Sequence, residues 1–462
     1  MIKTQKLYPN TLTGTSGHKH IKNHNHMVKS KIFNFTLSFC ILHFAFCILS
    51  LGGCTSKKPQ EKKITIWHWM SDRKDAFEVL AGKYKEQTGM DVEFKLFFPP
   101  DIYSQKVIAA ARAGNLPEIF GILGEKKTVG SFVNAGHTLN LNTYMQENNS
   151  RWMKAFYPQT LEVVIFREGN SYGVSQGIYG VPIDTTVMQF VYNRSLFEKA
   201  GFPPDSPPVT FDEFLHYAKV IKEKSGVDGF VCGWGEGWLL NCLASEWAIN
   251  LMGEDKFLNT IEGKVPYTDK QWIEVFSLFL KLKDAGILAS NIATMTNKEA
   301  EDAFSKEKAA FSFNGSWAVN VYKQLAPQLD YAFFSLPQAG KYPLKVWGGA
   351  GSSFMVNAKS QKADGAVKFL KWLTLREQQK FLIKETNNLP AIKDCQEDFP
   401  PILKNLVNSL NVLTHPNVWP QNEDSRVIEV INRGLQKIVM GLKSPHEVAS
   451  EIQEVKERIS SR

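Results

Sequence analysis

Residues Tyr179–Gly201 read YGVPIDTTVMQFVYNRSLFEKAG and set the architecture of the 462-residue chain. The Gly-Val-Pro opening is a turn signal, and the apolar run Val187–Tyr192 predicts a strand of about six residues. The segment after it predicts a short helix that ends at Gly201, because glycine readily adopts the left-handed conformation that closes helices. A proline-marked strand near the middle of a long chain predicts a crossing between two lobes. It carries one acidic residue, Asp184.

Upstream of this crossing, the folded part opens with a strand, a helix and a second strand. Ile64–Trp69 and Val92–Leu96 alternate in hydrophobicity, and the apolar residues of Phe77–Tyr84 recur at helical spacing. This βαβ order predicts an α/β lobe with a parallel sheet, whose ligands bind beyond the C-terminal ends of the strands. Trp67 lies at such an end and is a candidate ligand contact, although a core role for it and for His68 stays open.

Composition indicates a globular protein, with 43% hydrophobic and 22% charged residues. The length predicts two or three domains. The formal net charge is +8, but residues 1–53 contain six lysines and no acidic residue, which leaves 48 basic residues against 46 acidic ones. A nearly neutral folded part offers no basic surface to neutralise phosphates, so a nucleic-acid partner is not expected.

The N-terminal region has the pattern of an export signal. Residues 29–54 read KSKIFNFTLSFCILHFAFCILSLGGC, with a basic start, an apolar run and small residues before a cysteine. Leu51–Cys54 resembles the lipobox of bacterial lipoproteins, which implies lipid attachment at Cys54; a transmembrane anchor of about 20 residues is the alternative. We expect residues 1–53 to be a leader with its true start at Met27, and residues 1–26 to be untranslated or cleaved. Residues 54–63 form a charged linker to the fold.

Three cysteines remain in the folded part, and an odd number excludes a full disulfide framework. At most one pair, Cys232–Cys242, could form. Dense His and Cys spacings such as CxxC or HExxH are absent from the sequence, so no metal site is expected. A P-loop, a nucleophile elbow and a dinucleotide fingerprint are also absent, so no cofactor is expected.

Several tryptophans stand next to glycines in predicted loops, where packing gives little reason for them. They are Trp234, Trp238, Trp317 and Trp347. An indole face can cover the apolar face of a sugar while neighbouring carboxylates and amides bind its hydroxyls. A structural role stays open for each, but the set favours sugar binding.

Short motifs in a fixed order carry a resemblance to a known family. They are NLPEI (Asn115–Ile119), GVP (Gly180–Pro182), YN (Tyr192–Asn193), KAG (Lys199–Gly201), TFDEFL (Thr210–Leu215), KAAFSFNGSW (Lys308–Trp317), FLKWL (Phe369–Leu373) with Gln378, and LPA (Leu389–Ala391). Over Lys63–Ile459 the chain resembles the family 1 extracellular solute-binding lipoproteins, relatives of maltose-binding protein that supply sugars to ABC importers. The first motif departs from the family with Glu118 in place of the usual Asp, and the ligand-contact loops are divergent.

The resemblance implies an α/β, two-lobed periplasmic-binding-protein fold of type II. Each lobe is a sheet flanked by helices, and the ligand cleft lies between the lobes and closes on the ligand. The implied N-terminal lobe is residues 64–183 plus 353–395, and the C-terminal lobe is residues 184–352 plus 396–462. The hinge crossings fall near Val181–Thr186 and Gly351–Phe354.

Predicted ligand contacts come from the resemblance and from the loops. In this family the positions that match Asp184 and Trp317 commonly line the cleft. Strand ends and loops add further candidates, which are Trp67, Glu125, Trp234 and Trp347. We expect Asp184→Ala to weaken ligand binding and to leave the melting temperature of the empty protein nearly unchanged.

The predicted function is carbohydrate binding without catalysis, with delivery to an ABC permease. The protein is expected to be a monomer in the cell envelope, outside the cytoplasm and anchored to a membrane through Cys54. One alternative is the same fold with a polyamine, peptide or anion as ligand. Another alternative is a secreted glycoside hydrolase, which needs two carboxylates flanking the scissile bond. Asp184 and Glu125 are candidates for these carboxylates, but nothing in the sequence pairs them.

Overall fold

The computed structural model describes residues 63–98, 100–123, 126–170, 172–395, 399–413 and 423–461. The predicted leader, the lipidation site Cys54 and the candidate contact Glu125 lie outside these residues, so those three expectations remain predictions. Within the described part of the chain, no helix has both the length and the apolar character needed to cross a membrane.

Strands and helices alternate along most of the chain. The first elements are β1 (Lys63–His68), α1 (Lys74–Thr88), β2 (Asp91–Leu96), α2 (Pro100–Ala113), β3 (Ile119–Gly121), α3 (Lys126–Asn134), α4 (Asn142–Ala155), α5 (Pro158–Leu161), β4 (Ile165–Phe166) and β5 (Gly177–Ile178). The middle holds β6 (Val181–Asn193), α6 (Arg194–Ala200), α7 (Phe211–Ser225), β7 (Asp228–Val231), α8 (Gly237–Met252), α9 (Glu254–Ile261), α10 (Lys270–Asp284), α11 (Asn297–Ser305), β8 (Ala309–Gly315) and α12 (Ala318–Leu325). The last elements are β9 (Tyr331–Phe334), β10 (Gly348–Val356), α13 (Ala363–Leu373), α14 (Arg376–Thr386), β11 (Leu389–Pro390), α15 (Pro401–Val407), α16 (Ser425–Val439) and α17 (Pro445–Ser460).

The N-terminal βαβ prediction is confirmed. β1 pairs in parallel with β2 on one side and with β3 on the other. Helix α1 ends at Gly89, whose φ of 70° lies in the left-handed region where glycine costs little. Because β1 ends at His68, Trp69 and the short 3₁₀ turn Ser71–Arg73 lie beyond the C-terminal edge of this sheet.

Strand β6 is about twice as long as the apolar run predicted, because it serves two sheets. It has 13 residues, all of them buried. Residues 181–187 pair with β10 and residues 188–192 pair with β8, both antiparallel. Strands covered on both faces usually read as continuous apolar runs, but the first half of β6 carries Asp184 and Thr185, whose side chains are hydrogen-bonded inside the protein, so it escaped the prediction.

The strand order β2-β1-β3-β10-β6-β8-β7 shows that β6 and β10 connect the two halves of the molecule. β10 pairs with β3 through residues 354–356 and with β6 through residues 348–354. In the C-terminal half, β7 runs parallel to β8. The predicted α/β fold, with helices flanking a sheet in each lobe, is confirmed. The lobe boundaries at 183/184 and 352/353 fall inside β6 and β10 and remain predictions.

The structure also defines one helix cap and the state of two cysteines. Thr210 and Glu213 form a capping box at the start of α7. The disulfide that the sequence allowed is not formed, because Cys232 and Cys242 are both buried free thiols. The Cys232 Sγ instead lies 3.3 Å from the carbonyl oxygen of Phe313.

His68 is a core residue of β1. It is 1% exposed, and its ring meets Phe77 and Phe94 edge-on at centroid distances of 5.2 and 5.7 Å. Among the described residues neither ring nitrogen has a hydrogen-bond partner. Burial lowers the pKa of His68 to about 4, and the nearby positive charge of Arg73 adds to that effect.

We therefore expect His68 to make the protein less stable in acid. Its pKa is 6.5 in the unfolded chain and about 4 in the fold, so its contribution is present above pH 6.5 and lost as the pH falls through 4. The shift corresponds to about 3 kcal/mol in the free energy of unfolding. In His68→Phe the melting temperature, measured by circular dichroism, should change less with pH between pH 4 and 6.5 than in the wild type. His446→Ala, at an exposed position, should keep the wild-type dependence of melting temperature on pH. The same dependence in all three proteins would contradict the assignment.

Candidate ligand cleft

Residues that follow the C-terminal strand ends of the two halves are in contact with one another. Asn320 Nδ2 on α12 donates to the backbone carbonyl of Asp72, at 2.9 Å. Lys298 Nζ on α11 lies 5.5 Å from the ring centroid of Phe98, within the range of a cation–π contact. Asp72 and Phe98 follow β1 and β2, and Asn320 follows β8. Because α/β sheets bind ligands beyond these strand ends, we take the junction between the two halves as the candidate ligand cleft.

The loop Gly233–Gly237 after β7 is packed closely on one wall of this cleft. A Cβ atom at Gly233 would lie 2.4 Å from the backbone of Asn297, and one at Gly235 would lie 2.5 Å from the carbonyl oxygen of Thr294. Side chains do not tolerate such distances, so glycine is required at both positions by the approach of two backbones. The glycines therefore allow this predicted loop to pack against the start of α11.

Beside this loop lies a set of aromatic, carboxylate and amide side chains that we call the indole cluster. Its members are Glu236, Trp238, Asn297, Glu301, Asn314 and Trp317. The two indole rings are in contact, with centroids 5.8 Å apart and planes inclined at 48°. The cluster belongs to the cleft wall because Asn297 precedes Lys298 and Trp317 lies one helical turn before Asn320, and both of those residues touch the opposite lobe.

Glu301 is the buried acceptor at the centre of the indole cluster. It is 7% exposed, and its Oε1 accepts from Asn297 Nδ2 at 2.9 Å, Asn314 Nδ2 at 3.1 Å and Trp317 Nε1 at 3.1 Å. Burial raises the pKa of Glu301, and these three donors only partly offset that effect. A carboxylate held by three side-chain donors fixes the orientation of each donor.

Glu236 has a matching role for the second indole. Its Oε2 accepts from Trp238 Nε1 at 3.1 Å, and its Oε1 accepts from the backbone N–H of Asn297 at 2.9 Å. Trp238 as a whole residue is 36% exposed. The sequence drew attention to Trp238 as a loop tryptophan but did not select it as a site residue.

Trp317, which the family resemblance implies as a cleft residue, follows β8 and precedes α12, and its contact with a ligand remains a prediction. Its ring is partly exposed and folds back over Gly315, where a Cβ would come within 1.8 Å of the ring atom Cζ3. This close approach explains the glycine of the Asn-Gly-Ser-Trp motif. Trp347 is also partly exposed, and its backbone N–H donates to Glu246 Oε1 at 2.7 Å. Gly315 and Trp347 flank the same β6 residue, Met188, on opposite sides.

The ligand-contact prediction for Trp234 requires correction. This residue is fully buried, and its ring packs against Phe230 and Phe279 at centroid distances of 5.6 Å each. It is therefore a core residue of the C-terminal lobe. Trp234 in the loop is buried, whereas Trp238 in the first turn of α8 is exposed, so glycine neighbours alone do not distinguish the two.

Trp67 is not part of the indole cluster. Its ring meets Phe97 edge-on at 5.1 Å, and Lys106 Nζ on α2 lies 4.9 Å from its centroid. The residue is partly buried on the β1 face that carries Thr65, so the structure places it against α2. Whether Trp67 touches a ligand remains a prediction.

The cleft-lining prediction for Asp184 also requires correction. The carboxylate is 4% exposed and pairs with Arg73 Nη2 at 2.5 Å. Its Oδ1 accepts from the backbone N–H of Ser352 on β10 at 2.6 Å. Because the carboxylate is buried and each of its oxygens has a partner inside the protein, Asp184 joins β6 and β10 to the turn after β1.

Arg73 completes this buried network at the base of the cleft. Its guanidinium donates to Ser352 Oγ at 3.3 Å, Asn388 Oδ1 at 3.1 Å and Asp72 Oδ2 at 3.3 Å, in addition to its bond to Asp184. Burial alone would lower the pKa of Arg73, but the charges of Asp184 and Asp72 outweigh burial and raise it. The cation therefore stays charged, and β6, β10 and the segment before β11 are all tied to it.

Glu236, Asn297 and Glu301 were missed at the sequence level. Asn297 and Glu301 occupy an ordinary amphipathic helix, α11, whose polar residues suggest a solvated face. Their role depends on the loop after β7 and the end of β8, which only the fold brings together. Across the described residues, no group of three or more His, Cys, Asp or Glu side chains is arranged to hold a metal ion.

Comparisons with known proteins all match this chain to solute-binding proteins. A family model described as bacterial extracellular solute-binding protein matches residues 80–407. A multiple sugar-binding protein of Streptococcus mutans is 26% identical over 363 residues, covering 75% of this chain and 80% of the relative. A melibiose/raffinose/stachyose-binding protein of Bacillus subtilis is 23% identical over 320 residues, covering 66% and 70%. The solved structure of a chitin oligosaccharide binding protein superimposes with a TM-score of 0.69 at 24% identity, covering 86% and 98%.

Proposed function

Because the chain belongs to the bacterial extracellular solute-binding proteins, we propose that it binds a carbohydrate in the cleft and delivers it to an ABC importer. The family acts outside the cytoplasm, and the relatives described above are binding proteins. Their names include several sugars. The proposal that the solute is a carbohydrate rests on the residues of this chain.

The observation that carries the proposal is the indole cluster. Trp238 and Trp317 offer two touching aromatic rings on the cleft wall, and carboxylate and amide groups surround them. Sugars are bound in this way because an aromatic face covers the C–H groups of the ring while polar groups order the hydroxyls. Glu236 and Glu301 each accept hydrogen bonds from neighbouring indole and amide groups, which orients those groups beside the rings.

Capture of the ligand follows from the shared strand β6. This strand pairs with β10 through its first half and with β8 through its second half, so a small change along it moves one lobe relative to the other. We propose that the closed, liganded form is the one recognised by the permease, that the protein works as a monomer, and that Cys54 carries the lipid anchor. Asp72 and Asn320 then form one of the contacts that lobe closure makes and breaks.

A thermal-shift screen tests the carbohydrate proposal directly. Raffinose, stachyose, lactose, maltotriose and N,N′-diacetylchitobiose form the sugar panel, and spermidine, a tripeptide and phosphate form the comparison set. We expect at least one sugar to raise the melting temperature, since a ligand present at 100 times its Kd adds about 2.7 kcal/mol of stability. Isothermal titration calorimetry then gives the Kd. A shift with only spermidine, the tripeptide or phosphate would overturn the carbohydrate assignment, and release of smaller sugars would overturn the absence of catalysis.

A further inference from the structure

We propose that Glu236 and Glu301 are the positioning residues of the cleft, each fixing one indole of the pair, and that together they favour neutral sugars over acidic ones. This inference rests on the proposed function, because it names the class of sugar and the residues that select it. It concerns two side chains that act through Trp238 and Trp317 and need not touch the ligand.

The first step concerns the N–H donors of the two indole rings. Each indole has a single N–H donor. Trp238 gives its N–H to Glu236 at 3.1 Å, and Trp317 gives its N–H to Glu301 at 3.1 Å. Since both donors are used within the protein, the rings can offer a ligand only their faces and apolar edges.

The second step is the coupling of the two rings. Asn297 donates its backbone N–H to Glu236 at 2.9 Å and its side-chain amide to Glu301 at 2.9 Å. The two carboxylates are thus held by one residue at the start of α11. With ring centroids 5.8 Å apart, the two indoles form one aromatic surface whose shape depends on this asparagine and both carboxylates.

The third step is charge. Every hydrogen-bond donor that the described residues offer to Glu236 and Glu301 is a neutral amide or indole group. The ammonium of Lys298, next along α11, lies over the ring of Phe98 on the opposite lobe. A sugar carboxylate placed on the rings would therefore meet negative charge behind them, which in a partly buried site is costly.

The test compares alanine with glutamine at both positions. Glutamine keeps an oxygen acceptor for the indole and removes the charge, whereas alanine removes both. For a neutral sugar that binds the wild type, we expect Glu301→Ala and Glu236→Ala to weaken the affinity at least about 10-fold, and Glu301→Gln and Glu236→Gln to stay within about threefold. Asp302→Asn is the matched control, because Asp302 is the next residue on α11 and pairs with Lys306 near the surface.

A second readout needs no ligand. The indole ¹H–¹⁵N resonances of Trp317 and Trp238 are assigned by their loss in Trp317→Phe and Trp238→Phe. Glu301→Ala should shift the Trp317 resonance upfield and Glu301→Gln should largely restore it, with the same relation between Glu236 and Trp238. Resonances that stay in place in the alanine variants would overturn the positioning role. Failure of the wild type to bind any sugar would overturn the proposed function while the resonances still report on positioning.

Discrimination by charge is measured with digalacturonate as the acidic probe at low salt. We expect the wild type to bind a neutral disaccharide at least about 10-fold more tightly than digalacturonate, and the double variant Glu236→Gln/Glu301→Gln to narrow this ratio several-fold. Asp302→Asn should leave the ratio unchanged. A ratio unaltered in the double variant, or wild-type preference for digalacturonate, would overturn the charge part of the proposal.

Discussion

The Asp184→Ala variant is expected to unfold with a free energy about 3–5 kcal/mol below that of the wild type, in the absence of any ligand. The carboxylate is 4% exposed and forms an ion pair with Arg73, which is 5% exposed. Removing one partner leaves a buried guanidinium without its main counter-charge. The backbone N–H of Ser352, on β10, also loses its acceptor. Urea unfolding of the empty protein, followed by circular dichroism, measures the difference.

Two controls separate this effect from a general response to losing a charge. Asp302→Ala, which removes a partly exposed ion pair with Lys306, should cost less than about 1 kcal/mol. The double variant Arg73→Met/Asp184→Leu should lose less than the sum of the losses of Arg73→Met and Asp184→Leu, because each single variant leaves one buried charge isolated and the double variant leaves neither. A loss below about 1 kcal/mol for Asp184→Ala would contradict the buried-pair assignment and return Asp184 to the cleft-lining role that the sequence suggested.

Asp184 illustrates what local sequence can and cannot decide. The turn signal and the apolar run correctly located a strand and a helix around it, since those depend on neighbouring residues. The partner of Asp184 lies on a turn after β1, far away along the chain, and no local pattern links the two. The same holds for the first half of β6, whose burial comes from β10 and β11 and not from its own hydrophobicity.

The two tryptophans of the Gly233–Trp238 segment show that local sequence also does not decide which side chains of the site are exposed. Both stand next to glycines, yet Trp234 is fully buried and Trp238 is 36% exposed. The difference is set by the core rings that receive Trp234 and by the carboxylate of Glu236 that holds Trp238. Sequence identified the segment and the chemistry of the residues, and the fold decided which side chain is available to a ligand.

Replacing Trp317 with alanine is expected to weaken the binding of the cognate sugar about 30-fold, which corresponds to about 2 kcal/mol. The variant removes one of the two rings of the aromatic surface and leaves Glu301 without its indole donor. Because the ring lies on the surface of the cleft and is partly exposed, the melting temperature of the empty protein should fall less than the affinity. Titration calorimetry with the sugar identified in the thermal-shift screen measures the loss.

Trp372→Ala is the matched control for this experiment. Trp372 is also partly exposed and also donates its indole N–H to a side chain, Gln87 Oε1 at 2.7 Å, but it lies on α13 and packs against Tyr84 of α1. It should lower stability by a similar amount and leave the affinity unchanged. Equal losses of affinity in the two variants would mean that Trp317 acts through stability alone. An unchanged affinity in Trp317→Ala would place the ligand elsewhere in the cleft.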